Sequence, residues 1–180
     1  MVTIFGAGWL AWGLSMANAF TLTRGLLFSI VFSIVEIVLL GYSVYFIWKG
    51  RSLRKKYPSS PSAATRRMNK QFMIVAVLEF AAIAIVVVIA SALHRSDLAP
   101  VLIAIVVGLH FLPLARVFRA PIYYVSGIAI TLWCVVCWTL FRSSALIAST
   151  GIGTGIMLWA TSAYVLLRAR QIVRSLEAIS

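Results

Sequence analysis

Only four acidic residues occur in the 180-residue chain, and two of them, Glu36 and Glu79, lie inside long apolar runs. Both runs read as membrane spans, where a charged group at the bilayer centre costs roughly 2.5–3.5 kcal/mol on insertion scales. A carboxyl in that position needs a partner, a water-filled cavity or a bound proton. Proton uptake inside a membrane is the chemistry of proton-linked carriers and channels, so Glu36 and Glu79 lead the candidates. His110 joins them, within Gly108-Leu109-His110-Phe111-Leu112-Pro113-Leu114-Ala115-Arg116. Pro113 removes a backbone donor and frees a carbonyl nearby. A histidine, freed carbonyls and Arg116 together make a site that could bind or relay; a hydrogen-bonded structural histidine is the competing reading.

Glu36 belongs to a polar stripe. Ser29, Ser33, Glu36 and Ser43 fall at offsets 0, 4, 7 and 14, within about 80° of one another on a helix. Such a stripe faces protein or water, either lining a cavity or letting helices approach through small serines. Glu79 has no basic residue within its own run. If ionised it needs an Arg or His from another helix; otherwise it holds a proton, and a protonated carboxyl can be purely structural.

The elements that must position these groups are helices. Hydrophobic residues make up 62% of the chain and charged residues 11%, against about 25% charged in soluble domains. The apolar runs are continuous rather than alternating, which favours helices over a barrel. The sequence predicts an all-α, polytopic transmembrane bundle in one domain, with six spans at about 4–20, 25–48, 71–93, 101–118, 121–141 and 144–167. A basic loop covers 49–70, a tight turn 94–100 and a polar tail 168–180. The N-terminus lacks a basic n-region, so no cleaved signal is expected.

The charges set the direction. With six spans, thirteen of the 16 Lys and Arg residues fall on one side, in the loop, the Arg116–Arg119 turn and the tail; Arg24, Arg95 and Arg142 fall on the other. Basic residues stay in the cytoplasm, which predicts an N-in, C-in, multi-pass protein of the cell membrane. On this topology Glu36, Glu79 and His110 share a level. The net charge of +12 reflects topology rather than nucleic-acid binding. Arg51, Arg54, Lys55 and Lys56 could bind anionic lipid headgroups or act only as a topology anchor. The tail could continue the last helix with Ile172, Leu176 and Ile179 on one face. Spans one to three and four to six start on opposite sides, so any repeat would be inverted, although the halves share no residue-level match. Six short helices enclose little volume, so a homo-oligomer is expected.

Other motifs read as packing. Cys134-Val135-Val136-Cys137 has redox spacing, but no second pair exists to relay electrons, and the cysteines sit between Trp133 and Trp138 as small apolar residues. A zinc site would need two further ligands; no metal or cofactor is expected. Gly151 and Gly155 form a close-packing face, with Thr150, Thr154 and Thr161 along one side. No Ser–His–Asp set can be assembled, since Asp97 is the only Asp and lies in the outer turn.

The stretch Gly108–Gly127, GLHFLPLARVFRAPIYYVSG, resembles a run in uncharacterised small bacterial integral membrane proteins. The resemblance covers about 20 residues. It implies no activity; it marks His110, Pro113, Arg116 and Tyr124 as a family signature.

Three functions follow. A proton-linked carrier or channel for a small solute would titrate Glu36 and Glu79 with His110, and Glu36→Gln would abolish transport without unfolding the protein. A membrane-embedded redox or lipid-modifying enzyme would retain a haem, quinone or lipid. A structural or accessory subunit would lose only stability when either Glu becomes Gln.

Overall fold

Bilayer hydrocarbon offers backbone amides no water to bond, so an apolar run there must satisfy them internally. The computed structural model accordingly is all helical among the residues it describes, which are 2–16, 34–35, 37–45, 48, 63–95 and 98–177. Helix α1 spans Val2–Met16, α2 Ala63–Ala92, α3 Ala99–Phe118, α4 Ile122–Leu140 and α5 Ser143–Glu177. Residues 37–45 are helical as well. Helices α2 to α5 are each long and apolar enough to cross a membrane, and the chain is a helical membrane protein.

Two helices outrun their apolar stretches. α2 begins at Ala63, so residues 63–70 of the expected loop are helical. α5 continues to Glu177, carrying most of the expected tail. The reason is shared: Ala63–Lys70 and Arg168–Glu177 contain neither Gly nor Pro and are rich in Ala, Arg, Leu and other good helix formers. Apolarity marks the bilayer slab, not the helix end. α3 starts two residues before the expected span, with Pro100 in its first turn, where a missing N–H costs nothing. It ends at Arg119, whose φ of 50° is left-handed and whose N–H donates to the Ala115 carbonyl.

Consecutive neighbours pack antiparallel. α2 meets α3 through Phe72 and Phe118, with ring centroids 5.8 Å apart. α3 meets α4 where two glycines face: a Cβ on Gly127 would stand 2.6 Å from the Gly108 carbonyl oxygen. α4 meets α5 through the Trp133 indole, which donates to the Ser149 carbonyl at 3.0 Å. It also meets α5 through Ser126 and Thr161, whose hydroxyl oxygens are 2.6 Å apart. α1 returns to α5. A Cβ on Gly13 would fall 2.6 Å from the Ile152 nitrogen, and one on Gly155 would fall 2.8 Å from the Gly6 carbonyl oxygen. The small-residue face of α5 is thus where the α1 backbone approaches, as close-packed membrane interfaces require. Trp9 is buried at this contact.

The bundle therefore runs α1–α5–α4–α3–α2, with α5 also touching α3. The core lies along α3, α4 and α5, where Val101, Phe111, Ile130 and Leu158 are fully buried. Among the described elements α2 is the edge helix: it packs only on α3, and Ala90 is its one buried residue. That marginal helix holds Glu79.

Candidate functional site

Glu79 lies mid-way along α2, on the side turned to α3. Its Oε1 is 3.2 Å from Nδ1 of His110, and the two side chains are only 14% and 16% exposed. The same Nδ1 is 2.8 Å from the Val107 carbonyl oxygen, one turn earlier in α3. A carbonyl only accepts, so Nδ1 carries a hydrogen and donates. Glu79 lies within reach of that hydrogen, and Nε2 is the ring nitrogen free to gain or lose a proton. The backbone carbonyl thus fixes the tautomer, and α2 supplies the carboxyl.

Electrostatics decide what the pair can do. In a poorly solvated seam, an arrangement with no net charge is favoured over one with an unpaired charge. A neutral imidazole beside a protonated carboxyl and an imidazolium beside a carboxylate both meet that condition. They differ only in where one proton resides.

Pro113, one turn beyond His110, offers no N–H to the Leu109 carbonyl. Beside it opens a groove of about 730 Å³ to which α2 contributes Gln71 and Val75, α3 Pro113 and Arg116, and α4 Tyr124 and Ile128. Val75 precedes Glu79 by one helical turn, so the groove and the pair follow the same α2–α3 seam. Arg116 lies six residues along α3 from His110, about 9 Å by helix rise. Its Nε donates to the Tyr124 hydroxyl at 3.3 Å, so it belongs to the groove rather than to the pair.

Glu36, Ser29 and Ser33 lie outside the described residues, as do Arg51, Arg54, Lys55, Lys56 and Asp97. Ser43, from the same stripe as Glu36, donates to the Leu39 carbonyl of its own helix at 2.8 Å. Gln71, the Val107 carbonyl and the paired glycines Gly108 and Gly127 escaped the sequence reading. Gln71 opens an apolar run as its first polar residue, and a mid-span glycine signals close approach; both were available signals. The carbonyl carries no side-chain signal at all.

The cysteines lie in a packed helix contact. Both thiols are fully buried and unpaired. Cys134 faces Thr154 and Cys137 faces Thr150, across the α4–α5 contact. Among the described residues no group of three or more His, Cys, Asp or Glu side chains could hold a metal ion.

Residues 61–168 match the sequence model of a family of unknown function, DUF7010. No curated protein and no solved structure matches the chain. The match covers more than half of the sequence and includes the pair, the groove and helices α2 to α4. The chain belongs to this family.

Proposed function

We propose that this member of the DUF7010 family is a proton-linked carrier or channel for a small solute, with Glu79 and His110 as its proton-binding element. The single observation that carries the reading is the 3.2 Å contact between their side chains, made within the membrane and between an edge helix and the core. A proton held by either member of the pair links protonation to the way the two helices sit. Movement of α2 on α3 separates the groups and changes the charge that the seam must hold. That is the physical requirement for coupling a proton to a conformational step.

The topology we propose is six spans with both termini inside, in the cell membrane. Each of the four steps along α1–α5–α4–α3–α2 reverses direction, so α1 and α2 point the same way. A returning crossing between residues 16 and 63 satisfies this, and the helical residues 37–45 lie within that stretch. The basic residues of α2, of the α3–α4 turn and of the end of α5 then share the cytoplasmic side. Glu36 is proposed as a second proton site on the returning span, and a homo-oligomer as the working assembly.

A membrane-embedded redox or lipid-modifying enzyme and an accessory subunit are the competing readings. Burial of both thiols against threonines favours the carrier over a thiol oxidoreductase. The test uses the full chain in liposomes loaded with a pH-sensitive dye. Solutes from a broad panel are added outside, and internal acidification is followed. Wild-type protein is expected to couple at least one solute to proton entry, and Glu79→Gln and His110→Asn to lose the coupling. Coupled flux that survives both substitutions rules out the pair as the proton site.

A further inference from the structure

We propose that the groove between α2, α3 and α4 seats one anionic phospholipid, its phosphate held by Arg116 and Tyr124 and one acyl chain laid along Ile74, Leu112 and Ile128. The groove has the size of a small-molecule site, about 730 Å³, within the roughly 300–1,000 Å³ usual for ligand pockets. Its polarity is lopsided. Gln71 near the start of the membrane stretch of α2, Arg116 in the last turn of α3 and Tyr124 in the first turn of α4 are at one end of the bundle. The remaining wall is apolar. A water-soluble ligand would leave that wall bare, whereas an amphiphile matches both ends.

The polar end is arranged for an anion. The Arg116 Nε donates to the Tyr124 oxygen, which holds the guanidinium against the phenol without using its Nη groups. The phenol, accepting from Arg116, keeps its own O–H to donate. Both therefore can offer hydrogens to one phosphate, and the two Nη groups, left over from the Nε bond to Tyr124, can engage it in the bidentate form arginine favours. Glu79, the one acid whose side chain the structure describes, is engaged by His110. Arg66, Arg67, Lys70 and Arg119 occupy the same end of the bundle and are exposed, so the local field is positive. Basic pockets between transmembrane helices on the cytoplasmic side take anionic headgroups in this way. Access is lateral: Ile74 and Ile128 are exposed large apolar side chains, so a lipid enters from the bilayer without leaving it. The inference stands independently of the proton-linked reading, since neither Glu79 nor His110 contacts the lipid or has to change protonation.

The test is native mass spectrometry of the full chain released from nanodiscs of equimolar phosphatidylcholine and phosphatidylglycerol. The wild type is expected to retain one phosphatidylglycerol per chain in preference to phosphatidylcholine. Arg116→Gln is expected to weaken that preference about fivefold, the loss of one basic contact near a membrane surface. Ile128→Trp fills the apolar wall without altering charge; it is expected to abolish retention while circular dichroism remains helical. Arg119→Gln, at the same end but outside the groove, is expected to behave as wild type. Equal retention of both lipids overturns the proposal. So does unchanged preference in Ile128→Trp, or a loss in Arg119→Gln as large as in Arg116→Gln, which would assign the preference to surface charge alone. Retention of a molecule other than a lipid overturns it as well.

Discussion

Glu79 and His110 stand at nearly equal distances in sequence from the turn at Leu93–Arg95, and their side chains meet 3.2 Å apart across the α2–α3 seam. In an antiparallel helical hairpin, residues equidistant from the turn lie at one level. Their meeting needs only that both also face the seam. The contact joins the most weakly packed described helix to the core of the bundle.

Loss of either partner should be unequal in effect. Glu79→Gln keeps a hydrogen-bond acceptor beside Nδ1 and should leave the fold intact. His110→Leu removes the donor and leaves the Glu79 carboxyl in the seam without its partner, at a cost of about 1–3 kcal/mol. Thermal unfolding in detergent checks this. Glu79→Gln should melt close to wild type and His110→Leu several degrees lower. The reverse order would mean that the carboxyl is the structural member.

The α1–α5 contact rests on backbone approach. A Cβ on Gly151 would lie 2.8 Å from the Gly13 Cα and from the Trp9 carbonyl oxygen, both of them backbone atoms. Neither can swing aside, so Gly151→Val should destabilise by about 2 kcal/mol or more, as overpacking does. Gly8 has nothing within 4 Å of its Cβ direction, and Gly8→Ala should be neutral or slightly stabilising. Melting temperatures of the two variants decide the matter; equal effects would contradict the packing.

Ser126 and Thr161 present three short contacts for two protons. Ser126 reaches the Ile122 carbonyl, Thr161 the Met157 carbonyl, and the two hydroxyls each other. Two oxygens 2.6 Å apart need a hydrogen between them, so one hydroxyl donates across the helices and gives up the carbonyl of its own helix. A double-mutant cycle of Ser126→Ala and Thr161→Val should give a coupling of about 0.6 kcal/mol, the usual size between membrane helices. A coupling of zero would mean that the hydroxyls are held by their own helices alone.

The thiols should be inert. Cys134 and Cys137 are fully buried on the α4–α5 face. Maleimide labelling of the folded protein in detergent should be far slower than labelling after denaturation, and Cys134→Ala with Cys137→Ala should leave the fold and any solute coupling unchanged. Rapid labelling of the folded protein, or a disulfide between the two, would reopen a redox role.

Much of this was legible in the residues, and the rest failed for definable reasons. Span identity was readable because hydrocarbon forces long apolar runs, as in the stretches that became α3 and α4. Span ends were not, because Ala63–Lys70 and Arg168–Glu177 keep helix propensity after apolarity has stopped. The close-packing role of Gly151 and Gly155 was visible as small-xxx-small spacing; its partner α1 was not, since a glycine face states that something approaches but not what. The shared level of Glu79 and His110 followed from the turn between them. Their contact did not, because facing depends on helix rotation about its axis, which the level leaves undetermined. Arg116 was grouped with His110 by proximity in sequence. Six residues along a helix place it nearer the turn into α4, where Tyr124 takes its Nε hydrogen.

The most direct test of the Glu79–His110 pair is pH-difference infrared spectroscopy of the full chain in lipid, comparing wild type with Glu79→Gln and His110→Asn. A carboxyl that exchanges a proton gives a carbonyl band that appears on acidification. The pair predicts such a band in the wild type, its loss in Glu79→Gln, and a displaced titration in His110→Asn, where the proton has no imidazole to share. A Glu79→Gln spectrum that superimposes on the wild type would contradict the claim that Glu79 binds the proton.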